Sequence, residues 1–233
     1  MNKILSCLVM VATFSLAQDF GYEYAMISEY RALAVSRNLQ EFSARSSNPF
    51  ADSGRISIST ALPFVEYRQN NGRMAVGYQT FSDIYGNSRE SFSVYVESHS
   101  DFSLEGTKQS QGHWFIPVAV AANYVRADAP GKKQEDFDIG SFGLGTGIKF
   151  KHFDRSIGIQ AFVIGSFYYA SEGFSTDYGT QTSLCAEVQL FIPELVFEGI
   201  LIGYRFETQQ WNMNNNTLDY QRMYNGFVLG FLF

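Results

Sequence analysis

The sequence predicts an all-β fold, an antiparallel up-and-down transmembrane β-barrel, on three observations. The first is Tyr224 to Phe233, where Phe227, Leu229, Phe231 and Phe233 share one face and Tyr224, Gly226, Val228, Gly230 and Leu232 the other, because strand side chains alternate with period two. Such a strand left as a sheet edge in water invites aggregation, whereas a closed sheet facing lipid has a use for it. The second is composition: 16% aromatics, 20 glycines, 17% charged residues and a mean hydropathy of −0.11. After the first few residues there is no long apolar run, which excludes a helical membrane protein, and barrels hide in hydropathy plots because lipid-facing and lumen-facing residues alternate. The third is that alternating segments recur along the chain, bounded by turn residues.

The chain opens with a basic Met1-Asn2-Lys3, an apolar stretch from Ile4 to Phe14 and small residues in Ser15-Leu16-Ala17, the pattern of a signal peptide cleaved after Ala17. The apolar stretch falls short of the ~20 residues of a spanning helix. Removing residues 1–17 takes away Lys3 alone among charged residues, so the expected mature charge is 16 minus 23, or −7. It also leaves Cys185 as a single cysteine, expected as a packed thiol with no internal disulfide.

Residues 18–54 divide into an N-terminal strand and a long loop or plug helix. Phe20, Tyr22, Tyr24 and Met26 alternate with Gly21, Glu23 and Ala25, while Ala32, Val35, Leu39 and Phe42 sit at helical spacings after Ser28, a candidate N-cap. Residues 55–233 form the barrel proper. Ile56, Ile58, Thr60, Leu62 and Phe64 share a side, and Gln69 to Gly72 turns the chain back into Met74, Val76 and Tyr78. Phe92, Val94 and Val96 oppose Ser93, Tyr95, Glu97 and His99. Trp114 to Tyr124 is more continuously apolar, and Pro117 within it predicts a bulge or bend because proline donates nothing to the ladder. Phe142, Leu144, Thr146, Ile148 and Phe150 alternate with Ser141, Gly143, Gly145, Gly147 and Lys149. Ile157 to Tyr169, Leu184 to Ile192, Leu195 to Phe206 and Tyr220 to Phe233 complete nine strands.

Bacterial single-chain barrels have even strand numbers, so residues 19–27 are expected to supply a tenth strand, followed by a long, partly helical external loop through Asn48-Pro49-Phe50. Eight strands are the alternative if two segments are loop hairpins. With the C-terminus on the periplasmic side, the links at 83–89, 127–136, 171–180 and 207–219 fall outside, and those at 69–72, 107–112, 151–154 and 193–194 inside.

Tyr224, Gly226, Leu229 and Phe231, with Phe233 last, resemble the C-terminal sorting signal of Gram-negative outer-membrane β-barrel proteins. That resemblance implies export, insertion by the barrel-assembly machinery, and outer-membrane lipid as the surrounding partner. It implies a structural class and an assembly route, and no activity. Arg31-Ala32-Leu33-Ala34 with Asn48-Pro49 is similar to the N-terminal plug region of fatty-acid-transport-type barrels, although Phe50 stands where their Asn-Pro-Ala motif has alanine.

Glu97, His99, Lys149, Gln160, Glu187, Gln189 and Arg222 are the polar residues expected to line the lumen. They make either a charged, water-filled constriction or a salt-bridge network that fills a narrow barrel, since interiors of ~8 strands are just wide enough for side chains. The glycine stripe at 143, 145 and 147 either widens the lumen or lets the strand bend. Two functional classes follow: a non-enzymatic barrel, porin-like for small solutes or structural and adhesive in the cell envelope, and alternatively a surface lipid or peptide hydrolase using His99 beside Glu97. No Cys/His cluster has zinc spacing, and no cofactor motif is present. The acidic balance argues against nucleic acid. Loops 127–136 and 207–219, the latter carrying Trp211 and Met213, are candidate sites for surface ligands, and Tyr67, Trp114, Phe150, Tyr169, Phe206 and Tyr220 are read as interfacial girdles.

Overall fold

A computed structural model describes residues 30–46, 57–82, 88–104, 112–128, 137–153, 157–172, 178–193, 198–214 and 218–233. They form ten strands: β1 (Arg31–Ser46), β2 (Ser57–Gln69), β3 (Gly72–Ser82), β4 (Ser88–Ser103), β5 (His113–Asp128), β6 (Phe137–Phe153), β7 (Gly158–Glu172), β8 (Tyr178–Pro193), β9 (Gly199–Met213) and β10 (Leu218–Leu232). Each pairs antiparallel with its neighbours in sequence, and β1 pairs with β10 from Ala32–Leu232 to Ser46–Leu218, which closes the barrel.

Ten is the expected strand number, but the first strand is not where the sequence suggested. The segment read as a helix after Ser28 is β1, with Ala32, Ala34 and Ser36 buried and Leu33 and Val35 exposed. Tertiary pairing decides this: without β1, the edges of β2 and β10 would be left unpaired. The candidate strand at 20–26, the signal segment and Asn48 to Phe50 lie outside the described residues.

A second correction concerns the 207–219 link. β9 continues to Met213, and Tyr220 lies in β10, so Trp211, Met213 and Tyr220 are buried inside the barrel and belong neither to a surface loop nor to a girdle. Pro117 interrupts the β5–β6 ladder between Phe115–Lys149 and Val118–Thr146 without changing its register, so it makes a local gap and no bulge. The carbonyl of Pro117 accepts instead from the Thr146 hydroxyl at 3.0 Å.

The glycine stripe marks close contact. A Cβ on Gly143 would stand 2.7 Å from Cγ of Tyr168, its register partner on β7, and one on Gly77 would stand 2.7 Å from the ring of Phe64, its partner on β2. Both rings cover a glycine across the strand pair, a device that pins register.

Candidate functional site

The barrel is built inside-out. Phe227 is 71% exposed and Phe167 59%, whereas Glu66 is 0% and Arg68 2% exposed. A closed sheet satisfies its own backbone and can stand in lipid, where an open sheet edge cannot, and the apolar outer wall is what a bilayer requires.

The inner wall carries the candidate site, and strand alternation places every one of its side chains. Arg68 on β2 lies 2.6 Å from Glu66 and also pairs with Glu187 on β8. β1, β10 and β9 separate β2 from β8 on the short way round, so this contact crosses the lumen. Arg205 on β9 grips Glu187 at 2.5 Å and reaches Glu66 at 3.5 Å. Ser36 donates to Glu66 at 2.6 Å, and Gln189 donates to Glu187 at 2.7 Å. Two arginines and two glutamates therefore neutralise one another in the middle of the barrel. The inward Ala32 and Ala34 of β1, in register with Arg68 and Glu66, leave the space they occupy.

Two more braces cross the interior. Arg73 on β3 is 3.3 Å from Glu207 on β9 and 3.7 Å from Glu97, and its guanidinium lies 4.1 Å over the Tyr95 ring. Arg222 on β10 donates to Ser93 Oγ on β4 at 2.9 Å and lies 4.1 Å over Tyr224. Among the described residues, no carboxylate is within ion-pair distance of Arg222. A cavity of about 20 Å³ beside Arg73, Glu207 and Arg222 has room for about one water molecule. Near the β2–β3 turn, Lys149 and Lys151 share Asp101 at 2.9 and 2.8 Å, and Lys151 reaches the side-chain carbonyls of Asn70 and Asn71, each at 3.2 Å.

All seven polar residues singled out in the sequence point inward: Glu97, Lys149, Gln160, Glu187, Gln189 and Arg222 are buried and His99 is half-buried. Their partners differ from those that simple charge balance suggested, since Lys149 pairs with Asp101 and, among the described residues, Arg222 makes no ion pair. Sequence reading missed Glu66, Arg68, Arg73, Asp101, Lys151, Arg205 and Glu207. On β2 the apolar run of Leu62 and Phe64 read as a lipid-facing side, but it is internal, with Val65 exposed instead; the charges of Glu66 and Arg68 on the same parity were the signal that marked it. Tyr224 and Gly226 face the interior, while Leu229, Phe231 and Phe233 face outward.

The chain is a closed ten-stranded β-barrel with an apolar outer wall. No protein-family model matches the sequence, and no characterised protein matches it at a significant level. Among solved structures, the barrel is similar to Neisserial surface protein A, with 13% identity over 86% of this chain and 99% of that one and a TM-score of 0.35. It is also similar to the outer membrane protease OmpT from Escherichia coli, with 6% identity over 93% and 100% and a TM-score of 0.38. A third, the toluene transporter TodX from Pseudomonas putida, shows 7% identity over 95% and 91% and a TM-score of 0.30. Likenesses this low leave the function of the barrel to be argued from its own interior.

His99 is the residue on which a hydrolase would turn. Its Nε2 contacts Glu97, its ring packs edge-on against Phe162 at 6.0 Å, and its backbone N–H donates to Asn71 at the β2–β3 turn. Nδ1 has no hydrogen-bond partner among the described residues. The same residues hold no group of three His, Cys, Asp or Glu arranged to bind a metal ion. Cys185 is buried with Ala119, Phe162 and Ile164.

Proposed function

We propose that this outer-membrane barrel is a non-enzymatic envelope protein whose lumen is closed by its own side chains, acting in surface structure or attachment and not as a porin. The observation that carries this reading is the transluminal bracing, Arg68 to Glu187, Arg73 to Glu207 and Arg222 to Ser93. A solute would have to break buried ion pairs to pass, and breaking one such pair costs about 3–5 kcal/mol. The hydrolase alternative loses support because a general base needs a nucleophile within hydrogen-bond reach, and His99 is held by Glu97 at the turn end of the barrel. Attachment through loop 127–136 is part of the proposal, and residues 129–136 of that loop lie outside the described residues.

Planar-bilayer conductance of the refolded chain tests it, with heat-modifiable gel mobility verifying the closed barrel. The wild type is expected to be silent, and Arg68→Ala combined with Glu187→Ala and Arg205→Ala is expected to give discrete, salt-dependent steps. Steps of that kind from the wild type would overturn the filled-lumen reading. Cleavage of lipid or peptide substrates that disappears in His99→Ala would restore the enzyme.

A further inference from the structure

The wall of the barrel has one shortened ladder. β2 and β3 pair only from Gln69–Gly72 to Phe64–Gly77, although β2 continues beside β1 to Ser57 and β3 beside β4 to Ser82. Pairing stops where the next residue of β2 is Pro63, which has no N–H to donate. The outer half of the wall therefore carries a seam. A groove of about 570 Å³ lies at the foot of the seam. Outward-facing Val35, Val65, Phe227 and Leu229 line it, and so do Ser36, Phe64 and Gln79 from the inward face, so it cuts into the thickness of the sheet. The Gln79 side-chain carbonyl is buried there with no hydrogen-bond partner among the described residues.

Arg37 stands at the rim of this groove, exposed on the lipid-facing side of β1 and in register with Phe227 on β10 and Pro63 on β2. Below it the outward residues are Val35 and Leu33. On β10 the outward run Phe231, Leu229 and Phe227 gives way to Asn225 one position further out, so Arg37 marks the outer border of the apolar band. Among the described residues no carboxylate pairs with it. A cation held at the top of an apolar groove that opens sideways into the bilayer matches one kind of partner, an acyl chain joined to an anionic headgroup.

We propose that the β2–β3 seam seats an acyl chain of an anionic bilayer lipid, with Arg37 on the headgroup phosphate. Guanidinium and phosphate meet through two parallel charge-assisted hydrogen bonds, while the chain lies against Val35, Val65 and Leu229, where the missing ladder leaves room. The site lies outside the lumen and stands whether or not the barrel conducts.

The test is photolabelling in phosphatidylcholine vesicles doped with phosphatidylglycerol bearing a diazirine on one acyl chain, with adducts mapped by mass spectrometry. Adducts are expected to concentrate on segments 33–37 and 63–65. Arg37→Gln is expected to lower that labelling ~10-fold, the equivalent of about one good charge-assisted contact, and Arg37→Lys to retain much of it. Val65→Trp, which fills the groove without changing charge, is expected to abolish labelling there by phosphatidylglycerol and phosphatidylcholine probes alike. Heat-modifiable mobility confirms that each variant is folded. Adducts spread evenly around the belt, including Leu144 and Phe167, or labelling at the seam unchanged by both Arg37→Gln and Val65→Trp, would overturn the proposal.

Discussion

At the scale of single residues, the interior is governed by whether each buried charge has a partner. Glu187 accepts from Arg68, Arg205 and Gln189, so Glu187→Gln leaves two guanidinium groups sharing Glu66. The expected cost is about 3–5 kcal/mol, read as a lower urea midpoint for barrels refolded into vesicles. Arg222 contrasts with this, because a serine and two aromatic rings stand where an acid would be expected. Arg222→Met is expected to destabilise much less than Arg68→Met in the same assay, since no carboxylate is orphaned. Equal losses from the two would show that Arg222 is compensated by a group other than these contacts. The seven inward polar residues were legible from alternation because each sits on the parity opposite an apolar run, as Glu97 and His99 do opposite Val94 and Val96. Their partners were not, because a partner is set by which strands face each other across the ring.

Strands show where glycine and aromatic residues fix the register. Gly143→Ala drives a methyl group to within 2.6 Å of the Tyr168 Cα, and overpacking of this kind costs about 1–3 kcal/mol. Gly165→Ala on β7 is the control, with nothing within 4 Å of the added carbon, and is expected to be neutral in heat-modifiable mobility and urea unfolding. If both variants behaved alike, the stripe would serve curvature alone. β1 was misread at this scale for a physical reason: Ala32, Val35, Leu39 and Phe42 satisfy a helical period, while small Ala32, Ala34 and Ser36 give a weak period-two signal. Closure of the ring overrides that local preference.

Taken whole, the molecule is a sheet rolled around a polar core, with lipid doing outside what a packed apolar core does inside a soluble protein. Because the cross-braces are buried, salt reaches them poorly. Screening lengths fall from about 10 Å at 0.1 M to about 3 Å at 1 M salt, yet the unfolding midpoint is expected to move little across that range. A steep loss of stability with salt would show that water and ions reach the Arg68–Glu187–Arg205 cluster, and would count for an open lumen.

By itself the sequence determined the fold class and the two-faced alternation of the strands, and favoured ten strands over eight, because period two sorts side chains to two faces whatever lies beyond them. It also placed eight of the turns well enough to order nine strands. Only the tertiary structure decided that residues 31–46 close the ring, that Trp211 lies within it, that Arg68 meets Glu187, and that Pro63 opens a seam between β2 and β3. Each depends on how neighbouring strands pair or which strands end up opposite one another once a flat sheet closes, and distance across a barrel leaves no trace in the spacing of residues along the chain.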